Sequence, residues 1–247
     1  MSEFLLNGYC LARDPSQPNV FYAGGSRSGD SGYEMWIMKT EDGGRRWRTY
    51  YKLPSIQAQA TSECRDIAVA ASNSMVIYAV GVEAPDWYDQ HGKVFRSADG
   101  GESWEDVTSN LSSFHTSENV SSYNYWYLYT VLVHPTDPNR VFVGSDRGVF
   151  ATTDGGASWN STGLSESVQT FAYDQSTETL YAGTAYNGVY YSRDGGQSWE
   201  AFNNGLDCLE PRCMDIDPAN GYLYIGTQGG GVWRIPLLTG IEEWRVY

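Results

Sequence analysis

Short runs of β-branched and aromatic residues, broken by Gly and by clusters of Asp, Pro and Asn, recur from one end of the chain to the other. This pattern predicts many short strands joined by tight turns and does not look helical. The run Asp14-Pro-Ser-Gln-Pro-Asn-Val-Phe-Tyr-Ala-Gly24 matches His134-Pro-Thr-Asp-Pro-Asn-Arg-Val-Phe-Val-Gly144 without gaps. Asp174-Gln-Ser-Thr-Glu-Thr-Leu-Tyr-Ala-Gly183 and Asp217-Pro-Ala-Asn-Gly-Tyr-Leu-Tyr-Ile-Gly226 fit with one deletion, and Ala70 to Val80 is a looser copy. Each predicts a strand, a Pro/Asn turn and a second strand that ends in Gly. Gly148-Val-Phe, Gly188-Val-Tyr and Gly231-Val-Trp then open a third strand.

A second phrase recurs four times: Thr40-Glu-Asp-Gly-Gly-Arg-Arg-Trp47, Ser97-Ala-Asp-Gly-Gly-Glu-Ser-Trp104, Thr152-Thr-Asp-Gly-Gly-Ala-Ser-Trp159 and Ser192-Arg-Asp-Gly-Gly-Gln-Ser-Trp199. Its aspartates, Asp42, Asp99, Asp154 and Asp194, stand 57, 55 and 40 residues apart, a period that points to a propeller or a solenoid. Asp-Gly-Gly is a hairpin signal, because Gly supplies positive φ and Asp bonds the backbone two residues on. The initial hydroxyl satisfies another turn amide, and the Trp returns to pack over the turn. Four similar copies mark a folding device rather than one catalytic centre. The residues after each Trp supply a fourth strand. Five four-stranded units follow, at roughly 3–60, 61–126, 127–166, 167–210 and 211–247, in one domain of 247 residues. The fifth has only a degenerate echo of the phrase, Gly240-Ile-Glu-Glu-Trp244.

Ser/Thr-x-Asp-x-Gly-x-x-Trp resembles the Asp-box (BNR) repeat of sialidase and sortilin-type propellers. The longer unit, with Asp-Pro-x-x-Pro-Asn and the Gly-Val strand, is similar to bacterial repeats related to sortilin and to xyloglucan-specific glycoside hydrolases. The resemblance covers essentially the whole chain. It implies an all-β protein, a β-propeller of four-stranded antiparallel blades, here five. That fold hosts many unrelated activities, so function has to be argued from a site. Trp233-Arg-Ile-Pro236 resembles the Phe-Arg-Ile-Pro motif that carries a substrate-binding arginine in sialidases. The tyrosine nucleophile and arginine cluster of those enzymes are not assembled here, and the simpler account is a third strand of unit five with Arg234 outward.

Charge narrows the partners. Sixteen basic residues against 30 acidic give a net charge of −14, and the only lysines are Lys39, Lys52 and Lys93. No basic patch is available for a phosphate backbone, which excludes nucleic acid, and an anionic membrane surface is disfavoured. No apolar run approaches the ~20 residues of a membrane span, so no membrane insertion is expected. The opening Met-Ser-Glu-Phe-Leu-Leu-Asn-Gly has neither a basic n-region nor an adequate apolar one, so no signal peptide is expected in this chain. The three histidines, His91, His115 and His134, fall in different segments, and His134 occupies the turn position equivalent to Asp14. No spacing resembles a zinc or calcium site, so no metal or cofactor is expected. Four cysteines allow three pairings. Cys208 and Cys213 suit a short-loop disulfide, while Cys10 and Cys64 read as buried thiols near innermost strands. The sequons at Asn110, Asn119 and Asn160 are near chance in a chain this rich in Ser and Asn.

Units one and two owe their extra length to three segments: Ser26 to Glu34, Glu83 to Gly92, and Ser109 to Trp126. In a propeller all three project from the face opposite the boxes, where function usually sits. They carry Tyr33, Trp87, Tyr88, Tyr123, Tyr125 and Trp126 as candidate aromatic platforms, with Asp30, Glu83, Asp86, Asp89 and Glu118 as carboxylates. Aromatic faces beside carboxylate acceptors suit sugar rings; the competing account is that these aromatics pin the long loops down. Glycoside hydrolysis needs two carboxyls ~5–9.5 Å apart, and Asp30, Asp86, Asp89 and Glu118 are the candidates. Three readings stay open. The first is a non-catalytic extracellular or periplasmic recognition and scaffold module that binds a glycan or a protein segment on the loop face of units one to three. The second is a glycoside hydrolase resembling the xyloglucan-active family. The third is a structural subunit that assembles with other chains.

Overall fold

The computed structural model describes residues 6–29, 32–52, 62–86, 89–114, 124–237 and 244–246. The chain divides into two compact units, Met1–Val143 with Thr152–Asn160, and Gly144–Ala151 with Ser161–Tyr247. Apart from a 3₁₀ helix at Ser109–Phe114, the regular elements among the described residues are strands, and the sheets follow one plan: four antiparallel strands in chain order.

The first sheet is β1 (Leu6–Arg13), β2 (Phe21–Gly29), β3 (Gly32–Thr40) and β4 (Trp47–Lys52). The second is β5 (Glu63–Val69), β6 (Ile77–Asp86), β7 (Asp89–Ser97) and β8 (Glu105–Asp106), with a short β9 (Asn124–Tyr125) added parallel to β7. The third, through which the division between the units runs, is β10 (Leu128–Val133), β11 (Val141–Ser145), β12 (Gly148–Thr152) and β13 (Asn160–Ser161). The fourth is β14 (Val168–Asp174), β15 (Thr179–Thr184), β16 (Val189–Ser192) and β17 (Glu200–Ala201). The fifth is β18 (Pro211–Asp217), β19 (Tyr222–Thr227), β20 (Gly231–Pro236) and β21 (Arg245–Val246). These are propeller blades, and the fold class is an all-β propeller of four-stranded antiparallel sheets.

The box turns form as their chemistry requires. Both glycines of every box lie at φ between 74° and 97°, the left-handed region that glycine alone enters freely. In the first box Thr40 Oγ1 donates to Asp42 Oδ1 at 2.9 Å and accepts from Gly44 N–H at 3.0 Å, while Asp42 Oδ1 accepts from Arg46 N–H at 2.8 Å. The Ser97/Asp99, Thr152/Asp154 and Ser192/Asp194 boxes repeat this pattern. The Pro/Asn turns are Asx turns: Asp14 Oδ1 accepts from the N–H groups of Ser16 and Gln17. His134 substitutes with its ring, Nδ1 facing Thr136 N–H at 3.4 Å and Oγ1 at 3.2 Å.

The box Trp does more than cover its own turn. Trp104 Nε1 donates to Gly101 O at 3.1 Å within the box. Trp159 Nε1 instead donates to Val107 O at 2.9 Å, Trp199 Nε1 also meets Thr162 Oγ1 at 3.2 Å, and Trp244 Nε1 donates to Phe202 O at 2.6 Å. Val107, Thr162 and Phe202 all stand three residues after the preceding box Trp. The indole is therefore a clasp onto the sheet before it, and Trp244 makes the same clasp from a box that has lost its Asp-Gly-Gly.

Between the first and second sheets a core forms around Tyr22, Ile37, Cys64, Ile67, Ile77 and Phe95; between the fourth and fifth, one forms around Tyr181, Val189, Leu223, Ile225, Trp233 and Trp244. Four of the first strands share a β-bulge at one position, between Gly8 and Cys10, Cys64 and Asp66, Val168 and Thr170, and Pro211 and Cys213. A bulge leaves backbone groups outside the ladder for a neighbour to satisfy.

Candidate functional site

In each antiparallel sheet the box and Asx turns lie at one edge, while the second-to-third connections and the links between sheets lie at the other, the loop edge. In the first unit the longest hairpin reaches this edge: β6 and β7 pair out to Asp86↔Asp89. The link toward the third sheet is tied to the same hairpin, with β9 pairing Asp89↔Asn124 and Gln90↔Tyr125 and Trp126 N–H donating to Gln90 O at 2.9 Å. The backbone positions of Asp86, Asp89 and Tyr125 are thus brought together. Tyr33 stands near the start of β3, opposite Ser28. Asp30, Trp87, Tyr88, Glu118 and Tyr123 lie outside the described residues.

Trp126 is not a platform. It is only 2% exposed, and its ring lies so close to Gly92 that a Cβ there would sit 3.1 Å from it. The residue pins the link onto β7, because β9 holds the chain flat against that strand and turns the indole inward.

Beneath the hairpin tip the polar side chains are paired. Glu83, opposite His91 in the ladder and 8% exposed, lies 3.5 Å from Lys93 Nζ, which bonds Asp106 at 2.8 Å. Burial by itself would lower the pKa of the Lys93 amine, but Asp106 and Glu83 outweigh it and hold it above its usual value. Asp106 lies below the usual carboxylate range: burial opposes this, and Lys93 and Thr108 overcome it.

Where β5 and β10 begin, Arg65 stacks its guanidinium 5.4 Å from the ring centres of both Tyr127 and Tyr129, which lie 16° from parallel. Its Nη2 meets Glu63 at 2.5 Å, and its buried Nε has no hydrogen-bond partner among the described residues. Both strands enter from links at the loop edge, so this cation, its carboxylate and two tyrosines stand at that edge. Sequence reasoning passed over all four, because Glu63, Arg65 and Tyr129 lie in strands and Tyr127 just before one, rather than in the long loops.

One residue further along, Asp66 is turned inward by the bulge. Its Oδ2 accepts from Thr130 Oγ1 at 2.8 Å and from Val131 N–H at 2.9 Å, and its Oδ1 accepts from Ile67 N–H at 2.9 Å. Burial pushes its carboxyl up to about 6 despite those three donors. It is a strut between the second and third sheets.

Cys10 and Cys64, on β1 and β5, are thiols with Sγ atoms 3.8 Å apart, and the Cys10 contact together with burial raises the Cys64 pKa well above its usual value. Cys208 and Cys213, whose spacing suits a short-loop disulfide, are free thiols. Cys208 Sγ turns to Gln228 O at 3.4 Å, while Cys213 sits against Gly226, so the two do not face each other. Arg234 lies in the third strand of its sheet with its guanidinium 4.8 Å from the Tyr222 ring centre. Among the described residues no group of three His, Cys, Asp or Glu is placed to hold a metal ion, and no helix is long and apolar enough to cross a membrane.

The family model described as Sortilin-Vps10 (sortilin, neurotensin receptor 3) matches residues 92–210. The xyloglucanase Xgh74A of Acetivibrio thermocellus is 25% identical over 93% of this chain, which spans 30% of that enzyme's length. An ancestral GH74 enzyme superposes with a TM-score of 0.66 at 21% identity, covering 97% of this chain and 33% of the other. YCF48 bound to D1 peptide superposes with a TM-score of 0.61 at 14% identity, covering 98% of this chain and 69% of that one. The chain is an Asp-box (BNR) propeller that resembles sortilin and the xyloglucanases.

Proposed function

We propose that this chain is a non-catalytic recognition propeller of an extracellular or periplasmic protein, binding a glycan or a protein segment at the loop edge of its first unit. The observation that carries the reading is the Arg65–Tyr127–Tyr129 stack beside Glu63, a pre-formed set of aromatic faces and paired polar groups. Such a set favours a glycan, whose rings present apolar C–H faces and hydroxyls together. Tyr33, Trp87, Tyr88, Tyr123 and Tyr125 are the further binding residues of this proposal. Retention of the full chain on immobilised xyloglucan and on a panel of plant and microbial polysaccharides tests it. Trp87→Ala and Arg65→Gln should each weaken retention about fivefold, the ~1 kcal/mol of one stacking or cation–π contact. No retention on any polysaccharide, or retention indifferent to both changes, would overturn the glycan reading.

The 25% identity to a xyloglucanase across nearly the whole chain favours a second reading, glycoside hydrolysis, with its acids drawn from Asp30, Asp86, Asp89 and Glu118. Release of reducing sugar from xyloglucan, abolished by Asp86→Asn or Asp89→Asn, would replace the first reading with this one.

A further inference from the structure

In the second unit the loop edge is built from short segments that hold one another through the backbone. Ala185 N–H donates to Ser167 O at 2.7 Å, Gly188 N–H to Leu209 O at 2.9 Å, and Gln228 N–H to Glu210 O at 3.0 Å. Asn203 adds two ties: its Oδ1 accepts from Val189 N–H at 2.7 Å and its Nδ2 donates to Asn187 O at 2.9 Å. The shape of this edge is fixed by these ties before anything binds.

On this frame stand two exposed apolar side chains, Tyr186 at 72% and Leu209 at 38%. They belong to the two segments joined by the Gly188–Leu209 bond. A large apolar side chain held outward by a rigid backbone costs little ordering entropy when it is covered, and tyrosine is enriched among the residues that dominate interfaces. The Leu209 segment carries Asp207 and Glu210, and Glu166, on the link before β14, accepts from Asn187 Nδ2. The nearby cation, Arg212, is occupied, with Nη2 bonded to Gln228 and 3.6 Å from Glu210. The surface is apolar at its centre and acidic around it, in a chain of net charge −14.

We infer that this edge is a docking surface for a protein segment that carries an apolar side chain between lysines or arginines. Apolar burial under Tyr186 and Leu209 supplies affinity, and the acidic surround selects the charge of the partner and speeds its approach. The site is independent of the glycan reading, since all of its residues lie in the second unit.

The test titrates the full chain into fluorescein-labelled Lys-Lys-Leu-Phe-Leu-Lys-Lys and into the same peptide with Glu in place of Lys, reading anisotropy at low and at high salt. The expected result is saturable binding of the lysine peptide, weakened by salt, and none of the glutamate peptide. Tyr186→Ala should weaken binding about tenfold and Asp207→Asn about threefold, with the circular dichroism unchanged because both side chains point to solvent. Arg65→Gln and excess xyloglucan should leave it unaltered. The inference is overturned by failure of the lysine peptide to bind, equal binding of the glutamate peptide, indifference to Tyr186→Ala, or displacement by xyloglucan.

Discussion

The second-to-third strand connections of the second and fourth sheets begin from the same hairpin plan and end as different surfaces. In the second sheet β6 and β7 extend through ten and nine residues and recruit β9 as an extra strand. In the fourth sheet β15 and β16 stop after six and four, and Thr184 Oγ1 closes the turn by donating to Gly188 O at 2.8 Å and accepting from Asn187 N–H at 3.0 Å. Length gives the first edge reach and aromatic material. Brevity gives the second a rigid rim on which single side chains stand exposed. The opposite edge is the same in both, because the boxes are the same.

The contrast can be broken first at the tryptophans. Trp159 in the first unit is fully buried, whereas Trp199 in the second is half-buried. Trp159→Ala should cost about 4 kcal/mol and Trp199→Ala about 2 kcal/mol, measured by urea unfolding. Equal losses would mean that the clasp, not burial, sets the energy.

The next test works through pH. Asp66→Ala leaves Thr130 and the Val131 and Ile67 amides without an acceptor, and should cost about 3 kcal/mol. Because the Asp66 pKa is raised in the fold to about 6, its contribution is present below pH 4 and is lost as pH rises through 6. Thermal unfolding of the wild type from pH 4 to 8 should show that decline, and Asp66→Asn should flatten it.

The smallest effect belongs to the boxes. Hydrogen bonds from Ser103 hold Asp99 at about 2, and those from Ser158 and Thr152 do the same for Asp154; Ser198 drives Asp194 lower still. Depressed carboxyls stabilise above pH 4, and that stability is lost as pH falls through about 2. Replacing Asp99, Asp154 or Asp194 by Asn should therefore shallow the acid limb of the unfolding temperature and leave the Asp66 limb untouched. A change in the upper limb would show that the two groups are coupled.

How much of this was legible in the sequence follows the range of each interaction. The boxes, the Asx turns and His134 standing in for Asp14 are local, so spacing alone revealed them. Trp244 was legible as an echo because its distance from the preceding strands survived the loss of Asp-Gly-Gly. The bulge has no residue type that marks it, and the Asp66 strut and the clasp were not legible, since each joins residues dozens of positions apart and leaves no period of its own. Trp126 misled for the same reason: an aromatic residue in a long link looks exposed until β9 is seen to lie against β7. Arg65, Tyr127 and Tyr129 were invisible as a site because residues in or next to strands read as core.

The clasp also has a direction in time. Trp159, Trp199 and Trp244 each reach back, across 52, 37 and 42 residues, to a partner nearer the N-terminus. On a ribosome the acceptor has always been made when its donor emerges. Each new sheet can therefore lock onto a finished one, and no indole in this series waits for chain still to be synthesised.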